Sequence, residues 1–202
     1  MRRRAFDTLF TAGGLVLTVV LLVAGGLLMW GAHFANSNVH DQLAEQQIFF
    51  PAKGSPALAP PQIGPYLDKY AGQQLLSGPQ AEAYANHFIR VHLSEVAGGQ
   101  TYAQVSTKVQ ALTASSPNSP QLATLKAQQQ TLFQGETLRG LLLSAYAFGK
   151  IGEIAGVAMV VAWALAAVML VLTGLGLWHL RKVSPSEEVF DGRHVHQGKA
   201  AA

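Results

Sequence analysis

The chain has 202 residues, 50% of them hydrophobic and only 12% charged, about half the charged share of an average soluble domain. It contains no cysteine, which excludes disulfides, thiolate nucleophiles and thiolate metal sites. The net charge is +3, but residues 34–153 carry seven basic and seven acidic side chains. The excess therefore sits in short flanks beside apolar runs and does not indicate a nucleic-acid partner.

Residues 1–7 open on Met1-Arg2-Arg3-Arg4, and Thr8 to Ala32 then contains no charged residue. Crossing ~30 Å of hydrocarbon takes about 20 helical residues at 1.5 Å each. Residues 8–32 are accordingly expected to form the first transmembrane helix. A cleavable signal peptide is the rival reading, but its apolar region usually runs to about 7–15 residues, and the candidate cleavage site around Ala35-Asn36-Ser37 is poor. Gly14, Thr18, Leu21, Gly25, Leu28 and Ala32 recur at spacings of four and three, which puts small residues on one helix face, where backbones can approach closely in lipid.

No helix breaker occurs from His33 to Gln47, so the helix is expected to continue until shortly before Pro51. Residues 51–65 hold five prolines with Gly54 and Gly64 and read as an extended, proline-stiffened connection. Short helices follow. Ser77-Gly78-Pro79 starts one, with a stripe at Tyr84, Phe88 and Val91 and an end at Gly98-Gly99. Thr101 to Gln104 fits a capping box, followed by Tyr102, Val105, Val109 and Leu112. Ser119-Pro120 begins a third, with Leu122, Leu125, Leu132 and Phe133, and from Glu136 the pattern can run unbroken into the next apolar stretch.

That stretch, residues 154–180, is again uncharged and forms the expected second transmembrane helix, closed by Arg181 and Lys182. Trp30, Tyr146, Phe148 and Trp178 lie near the span ends, as interfacial aromatics do. Gly152 and Gly156 make a GxxxG pair, extended by Ala158, Ala162 and Ala166. This small-residue face implies packing between the two spans or with another subunit, unless it only reflects the Gly and Ala content of the chain. The basic flanks and the even number of spans place both termini in the cytoplasm. Residues 33–153 then form an extracytoplasmic, mostly helical segment, and residues 181–202 a polar, disordered cytoplasmic tail. The expected fold class is all-α: two transmembrane helices with a helical segment between them, in the plasma membrane.

Chemistry is sparsely encoded. His33 and His40 lie two helical turns apart, about 10 Å, too far to share one metal. His87 and His92 are five apart and face different ways. His33 and His179 lie at opposite ends of the two spans and cannot share a haem within one chain, and His194 and His196 fall in the tail. The spans hold no Asp, Glu, Lys or Arg of the kind that marks a translocation path, and Trp163, deep in the second span, is read as a packing residue. Gly13-Gly14, Gly25-Gly26 and Gly98-Gly99 lack phosphate-loop spacing. No cofactor and no catalytic or metal residue is assigned.

Four stretches carry a family likeness: Phe49 to Leu58, Tyr66 to Leu75, Gln80 to Ile89 and Thr131 to Leu142. Together they resemble an uncharacterised family of small two-span membrane proteins of high-GC Gram-positive bacteria, over most of residues 49–182. Some of its members carry the label aromatic ring-opening dioxygenase, an activity that needs iron held by two histidines and a carboxylate. The dispersed histidines of this chain do not build that set, and the resemblance implies no activity.

The function expected from the sequence is that of a non-enzymatic accessory or scaffold subunit. Its partners would be membrane lipid and a membrane protein or another copy of itself. Phe49, Phe50, Tyr66 and Tyr70 are the candidate interaction surface, and Gly14, Thr18, Gly25, Gly152 and Gly156 the candidate helix-packing positions. A sensor of a small external ligand is the alternative, and a metal-dependent enzyme the third.

Overall fold

The computed structural model describes residues 3–182, with side chains from Asp7 onward. The expected tail thus lies outside the described residues, apart from Arg181 and Lys182. The fold is all-α. Helices α1 (Arg3–Glu45), α2 (Gly64–Leu67), α3 (Gly78–Ala83), α4 (Arg90–Val96), α5 (Tyr102–Ser115) and α6 (Pro120–Leu180) follow in order. A π-helical turn, Tyr84–Ile89, joins α3 to α4, and 3-10 turns form at Pro56–Leu58 and Asp68–Tyr70. No strand forms among the described residues, but Phe49 and Gln74 make an isolated antiparallel bridge. The described residues fall into two compact units, one made of α1 up to Met29 with α6 from Gly156, the other Trp30–Ala155.

In the first unit the early part of α1 and the late part of α6 pair antiparallel. Thr11 meets Gly176, Gly14 meets Thr173, and Gly25 meets Trp163. A Cβ added at Gly14 would come within 2.7 Å of the Thr173 hydroxyl, so the backbones are close because glycine stands there. Thr18 is buried in this seam and donates its hydroxyl to the Gly14 carbonyl at 2.8 Å, which satisfies it within its own helix. Ala162, Ala166 and Thr173 are buried on the α6 side. Gly14, Thr18 and Gly25 therefore pack within the chain. The larger side chains, among them Leu15, Val19, Leu22, Val160, Leu165 and Leu172, stay exposed. Helices that are apolar all round belong in lipid, and both α1 and α6 are long and apolar enough to cross a membrane.

The expected Gly152/Gly156 pair does not act as one surface. Gly152, in the second unit, sits against Ala35 and the Asn36 side chain, whereas Gly156 has nothing within 4 Å of where its Cβ would be. Four residues separate them on one helix face, but the partner helix lies close only to Gly152.

The second unit has its own core. Ala35, Val39 and Leu43 of α1 are buried at every fourth position, as are Ala81, Ala85, Ile89 and Leu93 across the π turn. Val105 and Val109 of α5 and Leu122, Leu132 and Leu142 of α6 are buried too. The expected capping box at Thr101 forms, and Ser77, expected only as a cap, forms a second one with Gln80. The Gln80 side-chain oxygen accepts the Ser77 backbone N–H at 3.0 Å, and that of Gln104 accepts the Thr101 N–H at 2.8 Å. Side-chain amides tie the helices together: Gln74 donates to the Ala44 carbonyl, Gln128 to that of Val96, and Gln129 to the Ser106 hydroxyl.

The proline-rich connection is folded rather than extended. Pro56 and Pro65 stand in the first turns of short helices, where a missing N–H costs nothing. The Pro60 carbonyl accepts from Ile63 and Gly64 at 2.9 and 3.0 Å. These turns swing Leu58, Ile63 and Leu67 into the core.

Candidate interaction surfaces

The bridge at Phe49 divides the first pair of sequence candidates. Phe50 donates its N–H to the Gln73 carbonyl and Leu75 donates to Ile48, both at 2.9 Å. In extended backbone successive side chains point to opposite sides, so Phe49 is 58% exposed and Phe50 only 3%. Phe50 is a core residue and offers no interaction surface. Its ring centroid lies 5.2 Å from Tyr70 and 5.4 Å from Tyr84, which lies 4.8 Å from Phe88. Tyr70 is half-buried in this cluster, with the Lys69 ammonium 4.7 Å above its ring. Burial pushes the Tyr84 phenol above its ordinary pKa.

Tyr66 is exposed and belongs to a different place. Its ring stacks flat on His87, with centroids 3.6 Å apart and planes 7° from parallel. The two rings help line an open groove of about 600 Å³ with Pro61, Gln62, Arg90 and Glu95. His87 stands in the π turn, a distortion frequent at functional sites. The groove balances a guanidinium with a carboxylate beside the half-exposed Tyr66 ring, so it can offer donors, acceptors and a flat aromatic edge to a small polar molecule. His92 points elsewhere and donates from Nδ1 to the Phe88 carbonyl at 2.8 Å.

A second groove, of about 390 Å³, is apolar and lies between α1 and α6 in the second unit. Its lining includes the buried Val39, Leu43 and Leu142, the more exposed Leu138, Leu141 and Phe148 of α6, and the amides Asn38, Gln42 and Gln46. Gln42 donates to the Asn38 side chain at 2.8 Å. Leu141 is 64% exposed and Phe148 58%. None of its lining residues is charged. The sequence reading missed this surface. Its signal was the spacing of Leu138, Leu141, Ala145 and Phe148 at three, four and three residues, together with the amides Asn38, Gln42 and Gln46 at every fourth position through the end of α1.

Among the described residues no three His, Asp or Glu side chains come together as a metal ion requires. His40 pairs with its neighbour Asp41 at 3.1 Å, on the edge of a polar groove that also includes Ser77 and Glu153. Lys150 reaches Glu153 at 2.6 Å, and this hydrogen bond and charge raise the ammonium pKa. Arg139 bridges Glu136 and Asn86, both at 3.2 Å.

No protein-family model, curated protein or solved structure matches the chain.

Proposed function

We propose that this is an integral plasma-membrane protein with both termini in the cytoplasm, whose residues 33–153 form an extracytoplasmic docking module for another protein or a second copy of this chain. The module is non-enzymatic in this reading. The carrying observation is the uncharged groove between α1 and α6, with Leu141 and Phe148 exposed beside it. Exposed apolar side chains on a folded module mark a contact surface more often than chance. The orientation rests on Arg2, Arg3 and Arg4 before the first span and Arg181 and Lys182 after the second.

The absence of native cysteine makes the test direct. Lys53→Cys should react with a membrane-impermeant maleimide in intact cells, and Lys182→Cys only after permeabilisation. The opposite pattern would overturn the orientation. Leu141→Glu should leave the thermal midpoint of the purified protein near that of the parent while stripping away its bound partner, whether a co-purifying protein or a second copy. Retention of that partner would overturn the docking role of this groove.

The Tyr66–His87 groove favours a second reading, a sensor of a small polar ligand. Tyr66→Ala and Arg90→Ala should each abolish ligand-induced thermal stabilisation. If no small polar compound stabilises the parent protein, this reading fails.

A further inference from the structure

We infer that two aromatic girdles, Phe10 with Trp178 and Trp30 with Phe34, seat in the two headgroup boundaries of a bilayer whose hydrocarbon is about 30 Å thick, and that lipid covers the helix surface between them. The inference rests on the membrane reading above and adds the limits of the span and the identity of its cover.

The first observation is level. Thr11 meets Gly176, Gly14 meets Thr173 and Gly25 meets Trp163, so each step up α1 is matched by a step down α6. That register sets Phe10 level with Trp178 at one end of the pair. Both rings are more than half exposed.

The second is length. Trp30 lies 20 residues beyond Phe10 on the same helix, about 30 Å at 1.5 Å each, which is the thickness of a hydrocarbon layer. The Trp30 ring stacks on Phe34 with centroids 5.7 Å apart, and both residues are more than half exposed.

The third is the change of polarity at each girdle. Between Phe10 and Trp30 no residue is charged. Immediately outside stand Asp7, His179 and Arg181 at one end and Asn36, Ser37 and Asn38 at the other. The Lys182 ammonium lies 3.8 Å from the centre of the Trp178 ring, a cation beside an indole as the headgroup level favours.

The exposed surface between the girdles also names its cover. Leu15, Val16 and Leu17 are all exposed, and three consecutive residues fan over about 200° of a helix. Lipid wraps every side at once, whereas a single protein neighbour takes one.

The chain has three tryptophans, so full-length proteins that each keep one, with phenylalanine at the other two positions, report depth in vesicles of brominated phosphatidylcholine. Trp30 and Trp178 should each be quenched about twofold more by bromine near the headgroup than by bromine near the chain end. Stronger quenching from the chain end at either residue overturns the inference. So does the absence of quenching at both, which would mean that protein covers the girdles. If a single-tryptophan protein fails to fold, spin labels on Val20→Cys and Phe34→Cys, with every tryptophan in place, make the same measurement. Oxygen should reach the label at Val20, midway between the girdles, better than a water-soluble nickel complex does, and the order should reverse at Phe34. The same order at both sites overturns the inference. If the girdles fail while Lys53→Cys and Lys182→Cys still label on opposite sides, the membrane reading survives. If both label without permeabilisation, that reading falls as well.

Discussion

The indole of Trp163 lies against Gly25, in the space that a β-carbon at position 25 would occupy. The aromatic ring fills the notch left by the missing side chain, and small-residue contacts of this kind are what hold helices together in lipid. Gly25→Ala should push the ring out and cost about 1–3 kcal/mol. Gly26→Ala, with open space around it within α1, should cost nothing and can add up to about 1 kcal/mol. Thermal unfolding in detergent checks both. Adding Trp163→Ala to Gly25→Ala should make the glycine change nearly free, and full additivity would show that the two residues do not touch.

Phe49 and Phe50 should respond in opposite ways to the same substitution. Phe50→Ala removes a ring packed on Tyr70 and Tyr84 and should cost about 3–5 kcal/mol. Phe49→Ala should stay within about 0.5 kcal/mol of the parent. Chemical denaturation of the purified protein reads the difference.

Two glycines should separate by sign. A Cβ at Gly64 would sit 2.5 Å from the Leu58 backbone carbonyl oxygen, and backbone yields less readily than a side-chain tip. Gly64→Ala should cost about 1–3 kcal/mol. Gly140 lies within α6 with nothing near it, and Gly140→Ala should add about 0.5–1 kcal/mol by restricting the unfolded chain. Thermal midpoints shifted down and up respectively would bear this out.

Alkaline pH should destabilise the protein through Tyr84. The folded state holds the Tyr84 proton more tightly than the unfolded chain, because burial raises the phenol above its ordinary value of 10.0. The linked stability is therefore complete below about pH 10 and is lost as pH rises through the higher folded value. Tyr84→Phe cannot ionise and should keep more of its neutral-pH stability above pH 10 than the parent does. Denaturation midpoints measured on either side of pH 10 test this, and equal losses in both proteins would contradict it.

Much of this fold was legible because it depends on local pattern. The two apolar runs follow from composition, the starts at Ser77 and Thr101 from cap chemistry, and the unbroken α6 from the lack of any breaker after Pro120. What escaped the sequence reading depends on distant pairing. Nothing local to Phe49 and Phe50 says which faces inward; that is fixed by the bridge to Gln74, a residue 25 positions away. The Tyr66–His87 stack likewise joins the short helix α2 to a π-helical segment that periodicity does not announce. The prolines of 51–65 suggested extension because each one stiffens the backbone. Their positions at the starts of turns, which allow burial, emerge only once Leu58, Ile63 and Leu67 have a core to enter. The GxxxG spacing of Gly152 and Gly156 reports a shared helix face, but not how far along that face a neighbour stays close.

The hydrogen bonds from Phe50 to Gln73, Leu75 to Ile48 and Gly72 to Pro51 tie the two ends of the proline-rich segment into a neck. Lys53 and Gly54 are exposed beyond that neck, with Gly54 at φ 78°. Extra residues inserted between them would leave the knot untouched, since lengthening an already closed loop costs little. The segment is thus a ready handle: an epitope or protease site placed there would report the module's side of the membrane, its assembly and its capture from native membranes, without disturbing the surfaces under test.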